Sequence, residues 1–110
     1  MSMRLAGYEC LFAESGREAL DLLDTNDVDL VLTDLWMDDM DGYGLTKAIK
    51  LRPSLRHLPV IALTTDRTPE QHDRLRRAGA LAVIYKPFKM PELVAAVVRA
   101  LGPDSTSSGA

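Results

Sequence analysis

Apolar residues fall in short runs whose period changes along the chain. Tyr8–Ala13 (YECLFA) is a short apolar run with β character. Ser15-Gly16-Arg17-Glu18 then reads as a capping box: the Ser15 hydroxyl can hold the free N–H three residues on, and Glu18 can reach back. Ala19, Leu22 and Leu23 follow at helical spacing, and Asn26 ends that helix. Residues 28–33 (VDLVLT) are almost continuously apolar, the pattern of a strand buried on both faces of a parallel sheet. An acidic loop follows, closing at Asp41-Gly42. Leu45, Ala48 and Ile49 then return to helical spacing until Pro53.

The alternation continues. Residues 59–63 (PVIAL) predict another buried strand, leading into Thr64-Thr65-Asp66. Thr68-Pro69-Glu70-Gln71 is a second helix start, with a capping Thr, Pro at the first helical position and Gln three residues after the cap. Gly79 ends that helix. Residues 81–85 predict a strand, Lys86-Pro87-Phe88 a turn, and 91–101 a helix on which Leu93, Val97 and Leu101 form one row with Val94 and Val98 beside it. From Gly102 the chain is rich in Ser, Gly and Pro, so the expected organisation is one domain over 1–101 and a disordered tail or linker over 102–110. Strands alternating with helices imply an α/β fold with a doubly wound parallel sheet. Ligands of such sheets sit beyond the carboxyl ends of the strands. That places Asp34, Thr64, Thr65 and Lys86 on one rim.

Composition narrows the function. The 110-residue chain is 46% hydrophobic and 26% charged, the mix of a single globular domain. Its net charge of −3 is uneven: residues 1–55 carry eleven acids and five bases, and residues 56–110 five acids and eight bases. Asp34, Asp38, Asp39 and Asp41 cluster in one loop, which suits a cation better than DNA. No basic stripe with interleaved aromatics suggests nucleic-acid binding. One cysteine, Cys10, excludes an internal disulfide, and its apolar neighbours predict a buried thiol. No apolar run approaches a membrane span and no signal peptide is visible, so a cytoplasmic setting without membrane contact is expected.

A carboxylate, a hydroxyl and a lysine converging at a sheet edge can perform phosphoryl transfer: the carboxylate attacks phosphorus, and cations neutralise the transferred group. Taken singly, an Asp at a strand end is a cap or turn residue more often than a nucleophile, and a Lys-Pro pair means nothing. Their joint order is specific. Asp29-Leu30-Val31-Leu32-Thr33-Asp34, Met40-Asp41-Gly42-Tyr43, Pro59-Val60-Ile61-Ala62-Leu63-Thr64, Ala78-Gly79-Ala80 and Lys86-Pro87-Phe88 resemble, over residues 7–101, the receiver domains of response regulators and hybrid histidine kinases. The resemblance implies a flavodoxin-like sheet of order 2-1-3-4-5. It makes Asp34 the phosphoacceptor, Thr64 and Thr65 phosphate-binding hydroxyls, Lys86 the phosphate-binding lysine and Thr64 the switch hydroxyl. It makes Asp34 and the Trp36 backbone carbonyl ligands of Mg²⁺, and it implies a cis Lys86–Pro87 bond. Partners would be a histidine kinase or a histidine phosphotransfer domain. Separately from the resemblance, the surface of helix 70–78, strand 81–85 and the last helix is the expected docking face, the alternative being that the polar helix with Arg74, Arg76 and Arg77 is simply solvated.

The chain departs from that pattern in three places. The family's first strand, which ends in a Mg²⁺-binding acidic pair, and most of its first helix have no counterpart here. Residues 1–5 match only the tail of that helix, and Glu9 and Glu14 do not match the pair. The Mg²⁺ site is therefore expected to be weakened. The missing strand would lie between Tyr8–Ala13 and residues 28–33, so self-association through that gap or poor folding is expected, ahead of direct pairing of the two flanking strands. Val83 stands at the switch position where the family carries an aromatic. Tyr85 lies two residues on, on the same strand face. Asp38 replaces a common proline.

The expected function is a phosphoacceptor switch in two-component signal transduction. It takes a phosphoryl group from a phosphohistidine onto Asp34 and relays it to an output or phosphotransfer partner. It is a regulatory domain and not an enzyme beyond its own phosphorylation and dephosphorylation. The alternative is a degenerate pseudo-receiver that acts only as a protein-interaction module. An aspartyl-phosphate phosphohydrolase is rejected: it needs a second Asp two residues after the nucleophile, where Trp36 stands. His57 and His72 are expected to be surface residues.

Overall fold

The structure is a computed structural model that describes residues 2–35 and 40–108, with residues 102–108 described by backbone alone. Five strands, β1 (Ser2–Leu5), β2 (Tyr8–Ala13), β3 (Leu30–Asp34), β4 (Val60–Thr64) and β5 (Ala82–Tyr85), form one sheet in the order β1-β2-β3-β4-β5. Four helices, α1 (Gly16–Thr25), α2 (Gly42–Leu51), α3 (Pro69–Ala78) and α4 (Met90–Ser108), connect or follow them. Pairing is parallel from β2 to β5, and β1 alone is antiparallel. The fold is the doubly wound α/β arrangement.

The helix starts obey local chemistry. Ser15 caps α1 by accepting from the Glu18 N–H at 3.3 Å, Asp41 caps α2 through Gly44 N–H at 2.8 Å, and Thr68 caps α3 through Gln71 N–H at 3.4 Å. Gly79 ends α3 at φ +116°, a conformation that L side chains rarely adopt. The backbone stays helical to Ser108, past Leu101, where the composition suggested a tail or linker. The fixed φ of Pro103 is itself helical, and its missing N–H removes one hydrogen bond from the helix.

Side chains alternate between the sheet's two faces. Cys10, Leu30, Leu32, Ile61, Leu63 and Ile84 pack with Leu93, Ala96 and Val97 of α4. Leu11, Val31 and Val60 pack on the other face with α1 and α2 through Ala19, Leu23, Leu45 and Ile49. A third cluster, Leu35, Tyr43, Ala62, Leu75 and Ala80 with Val83 against it, joins α2 and α3. Cys10 is buried, as expected, and burial pushes its thiol pKa up.

Two expectations fail. Ser2–Leu5 is a strand and not a helix tail. Ala6 (φ +54°) and Gly7 (φ +86°) make a tight two-residue turn, and Arg4 pairs opposite Glu9 with a 3.5 Å ion contact. Met3 and Leu5 alternate toward the α4 side of the core, which gives this strand its reason to dock. Nor is the sheet open between β2 and β3. They pair directly, Cys10 opposite Leu30 and Ala13 opposite Thr33. Direct parallel pairing satisfies the backbone groups that a gap would orphan, each costing on the order of 1–3 kcal/mol. The order 2-1-3-4-5 is thus replaced, among the described residues, by β2 lying against β3 with β1 outside it.

Candidate functional site

Three parallel strands end at the same rim. Asp34 is the last residue of β3, Thr64 the last of β4, and Lys86 follows Tyr85 at the end of β5. The ladder holds them level: Asp34 lies opposite Leu63, Thr64 lies opposite Tyr85, and Lys86 N–H donates to the Thr64 carbonyl at 2.8 Å. Lys86 Nζ lies 2.5 Å from Asp34 Oδ1, with side chains 38% and 31% exposed. The contact is an ion pair without the angles of a hydrogen bond, so Oδ1 is neutralised but accepts no other hydrogen bond. Oδ1 is buried against Lys86 while the side chain as a whole is 31% exposed, so the carboxylate presents its other oxygen as a nucleophile within reach of a partner's group. Lys86–Pro87 is cis.

Thr64 is 5% exposed, and its Oγ1 accepts from Asp66 N–H at 3.0 Å. Asp66 in turn accepts from Thr68 N–H at 2.9 Å and Thr68 Oγ1 at 2.8 Å. The backbone and then the side-chain bond from Thr68 hold the Asp66 carboxyl below its usual range. The β4–α3 turn is therefore tied to the Thr64 hydroxyl. Thr65 is exposed at the same rim.

The residues at the switch position lie close to this turn. Val83 packs on the cluster that holds Tyr43 and Leu75. Tyr85 meets His72 of α3, with 2.9 Å between the phenol oxygen and Nδ1, and Arg67 stacks over its ring at 4.8 Å. His72 is thus half-buried and bonded, against the expectation of a surface residue, while His57 is exposed. Tyr43 enters the sequence reading only within the Met40-Asp41-Gly42-Tyr43 motif, with no role of its own. It is 4% exposed, Arg74 lies 3.9 Å over its ring, and its hydroxyl has no hydrogen-bond partner. Burial pushes the Tyr43 pKa up against the pull of Arg74, and Asp66 and Asp41 add to the rise. Its apolar neighbours lie on other elements, which a helical pattern alone does not reveal.

The described residues do not by themselves fit a Mg²⁺ site. Among them no group of three His, Cys, Asp or Glu side chains could hold a metal, and the cation nearest the Asp34 oxygen is Lys86. Glu14 follows β2 on the same rim, but it is exposed and joins no such group. The Trp36 carbonyl, Asp38 and Asp39 lie outside the described residues.

Comparison with known proteins agrees with this geometry. The family described as the response regulator receiver domain matches residues 2–98. The chain belongs to that family. It is 37% identical over 97 residues to the polar-differentiation response regulator DivK of Brucella ovis, covering 88% of this chain and 79% of the relative. The chemotaxis response regulator CheY4 of Vibrio cholerae superposes with a TM-score of 0.79 at 32% identity, over 87% of this chain and 80% of that one. The receiver domain of sensor histidine kinase PA1611 from Pseudomonas aeruginosa, whose active-site cleft holds a magnesium ion, gives 0.71 at 29%, over 79% and 71%. The chain is therefore a receiver domain of two-component signalling. No described helix is long and apolar enough to cross a membrane.

Proposed function

We propose that this receiver domain is a phosphoacceptor switch, taking a phosphoryl group from a phosphohistidine of a histidine kinase or histidine phosphotransfer domain onto Asp34. The observation that carries this reading is the Asp34–Lys86 ion pair at the carboxyl rim of the sheet, with Thr64 ending the adjacent strand. An Asp34 oxygen attacks phosphorus, the P–N bond breaks with its electron pair leaving on the imidazole, and the new P–O bond makes an acyl phosphate. Lys86 neutralises the added charge. The Thr64 hydroxyl, whose oxygen now accepts from Asp66, donates to a phosphoryl oxygen. That movement frees the Asp66 N–H and loosens the turn leading into α3, which passes the signal to an output or phosphotransfer partner. The domain is regulatory: at most it catalyses its own phosphorylation and its hydrolysis by water.

The test is transfer of labelled phosphate from a phosphorylated histidine donor to the purified chain. Hydroxylamine-labile label that is lost in Asp34→Asn is the expected result. Label that survives this substitution overturns the assignment. A second reading, a pseudo-receiver that acts only by binding, is favoured by the thin set of metal donors among the described residues and by Val83. It predicts no transfer under any metal concentration, with unchanged partner binding in Asp34→Asn. Mg²⁺ binding by this chain is expected to be weak, with little saturation of Trp36 fluorescence at low millimolar metal (roughly the affinity of thin sites). Tight saturation would bring the undescribed loop carboxylates into the site.

A further inference from the structure

Between α2 and α3, well away from the α4 side of the sheet, lies an open groove of about 420 Å³ lined by Tyr43, Lys47, Arg74, Arg77 and Ala78. Three of these five residues are cations, and none of the three makes an ion pair among the described residues. The other basic groups on and just after α2 are employed. Lys50, one turn after Lys47, donates to the Leu58 carbonyl at 2.6 Å and the Arg56 carbonyl at 3.1 Å. Arg52, just past α2, pairs with Asp24 at 3.0 Å. Arg74 and Arg77 are three apart on α3, so they share a face. The buried wall of the groove is Tyr43, 4% exposed, with an unpartnered hydroxyl and Arg74 held 3.9 Å over its ring. The charged equipment of the groove is therefore wholly donor, an ammonium and two guanidiniums, with no carboxylate among its lining residues. Such a set fits an acceptor-only group.

We propose that this groove docks an acidic segment of a protein partner, its carboxylates set on Lys47, Arg74 and Arg77 and its chain lying along the Tyr43–Ala78 floor. Charge complementarity argues for an acidic ligand. A protein segment is favoured over a small anion because the cations stand exposed on two helices, whereas small-molecule sites enclose most of the ligand. Tyr and Arg are also the residues in which interface hot spots are enriched. Arg74, already fixed on the Tyr43 ring, loses less freedom on binding than a free arginine. The site is independent of phosphorylation at Asp34, so it stands or falls apart from that reading.

The experiment is a titration of the isotope-labelled chain with a hexaglutamate peptide at low salt, followed by amide NMR. Saturable shifts at residues 43–47 and 74–78 are expected. The double substitution Lys47→Glu/Arg77→Glu leaves the Arg74–Tyr43 contact in place and should weaken binding by about tenfold or more. Arg56→Glu/Arg99→Glu makes the same change of net charge elsewhere and should alter it by less than about twofold. Melting temperatures of both variants serve as the folding control. Equal weakening by the two pairs would reduce the effect to net charge and overturn the proposal. So would the absence of saturation by hexaglutamate. Inorganic pyrophosphate binding at least as tightly at the same amides would make this a small-anion site instead.

Discussion

At Gly42 the backbone of the helix start meets the backbone of the phosphoacceptor strand. A Cβ there would lie 2.7 Å from the Asp34 carbonyl oxygen and 3.1 Å from Leu35 Cα, and Gly42 N–H already donates to the Leu35 carbonyl at 2.6 Å. Neither neighbour is a side chain that can swing away. Gly42→Ala should therefore destabilise the domain by about 1–3 kcal/mol, read from urea unfolding, and should shift the Asp34 amide in NMR spectra. A stability change within error would mean that the two backbones are not in contact. Asp66 offers a pH test. Its folded pKa is lowered by the Thr68 bonds, so its stabilising contribution is present above the carboxylate's unfolded pKa and fades as pH falls through the lower folded value. Thr68→Ala removes the side-chain donor, and the Asp66 titration midpoint, followed by carboxyl NMR, should move up. An unmoved midpoint would remove Thr68 Oγ1 as a cause. The rim residues Asp34, Thr64 and Lys86 were legible because each follows a recognisable strand. Tyr43 and the His72–Tyr85 pair were not, because their partners lie on other elements and no local spacing encodes them.

Elements whose reasons are local were legible in sequence. The caps at Ser15, Thr68 and Gly79 and the apolar strands 59–63 and 81–85 all depend on residues within one turn or one strand. The β1–β2 hairpin was missed for the converse reason. Its turn is Ala6-Gly7, which lacks the usual Asn or Asp at the first positive-φ position, and its strand is only four residues long. Met3 and Leu5 alternate with polar neighbours, a period-2 signal that resemblance to a helix tail obscured. An alanine at φ +54° carries the left-handed penalty. Ala6→Asn should thus stabilise the domain by roughly 0.5–1 kcal/mol, since Asn tolerates that region best after glycine. Equilibrium denaturation checks it, and a loss of stability would show that Ala6 is not in the left-handed conformation.

At the scale of the molecule, the decisive feature is the contact between β2 and β3. The expectation of self-association rested on an open gap with unpaired strands on both sides. Direct pairing removes that ground, because β3 is bonded to β2 on one side and to β4 on the other. Residue pattern could not reveal this, since the same apolar run serves a strand whichever neighbour it has. Closing the sheet moves its free edges to β1 and β5, each four residues long, and short edge strands are poor templates for further chains. Leu30, Val31, Leu32 and Thr33 are all at most 1% exposed, so β3 is covered on both faces as well as on both edges. Its amides can then exchange only when the whole domain unfolds. Hydrogen exchange should accordingly show the amides of Val31, Leu32 and Thr33 as slow as global unfolding allows, with those of Ser2–Leu5 opening much sooner. Sedimentation velocity on the same sample should give a single monomeric species whose mass does not change with concentration. Fast exchange in β3 would mean that β2 and β3 do not hold together in solution, and a mass that grows with concentration would mean that another chain pairs there instead.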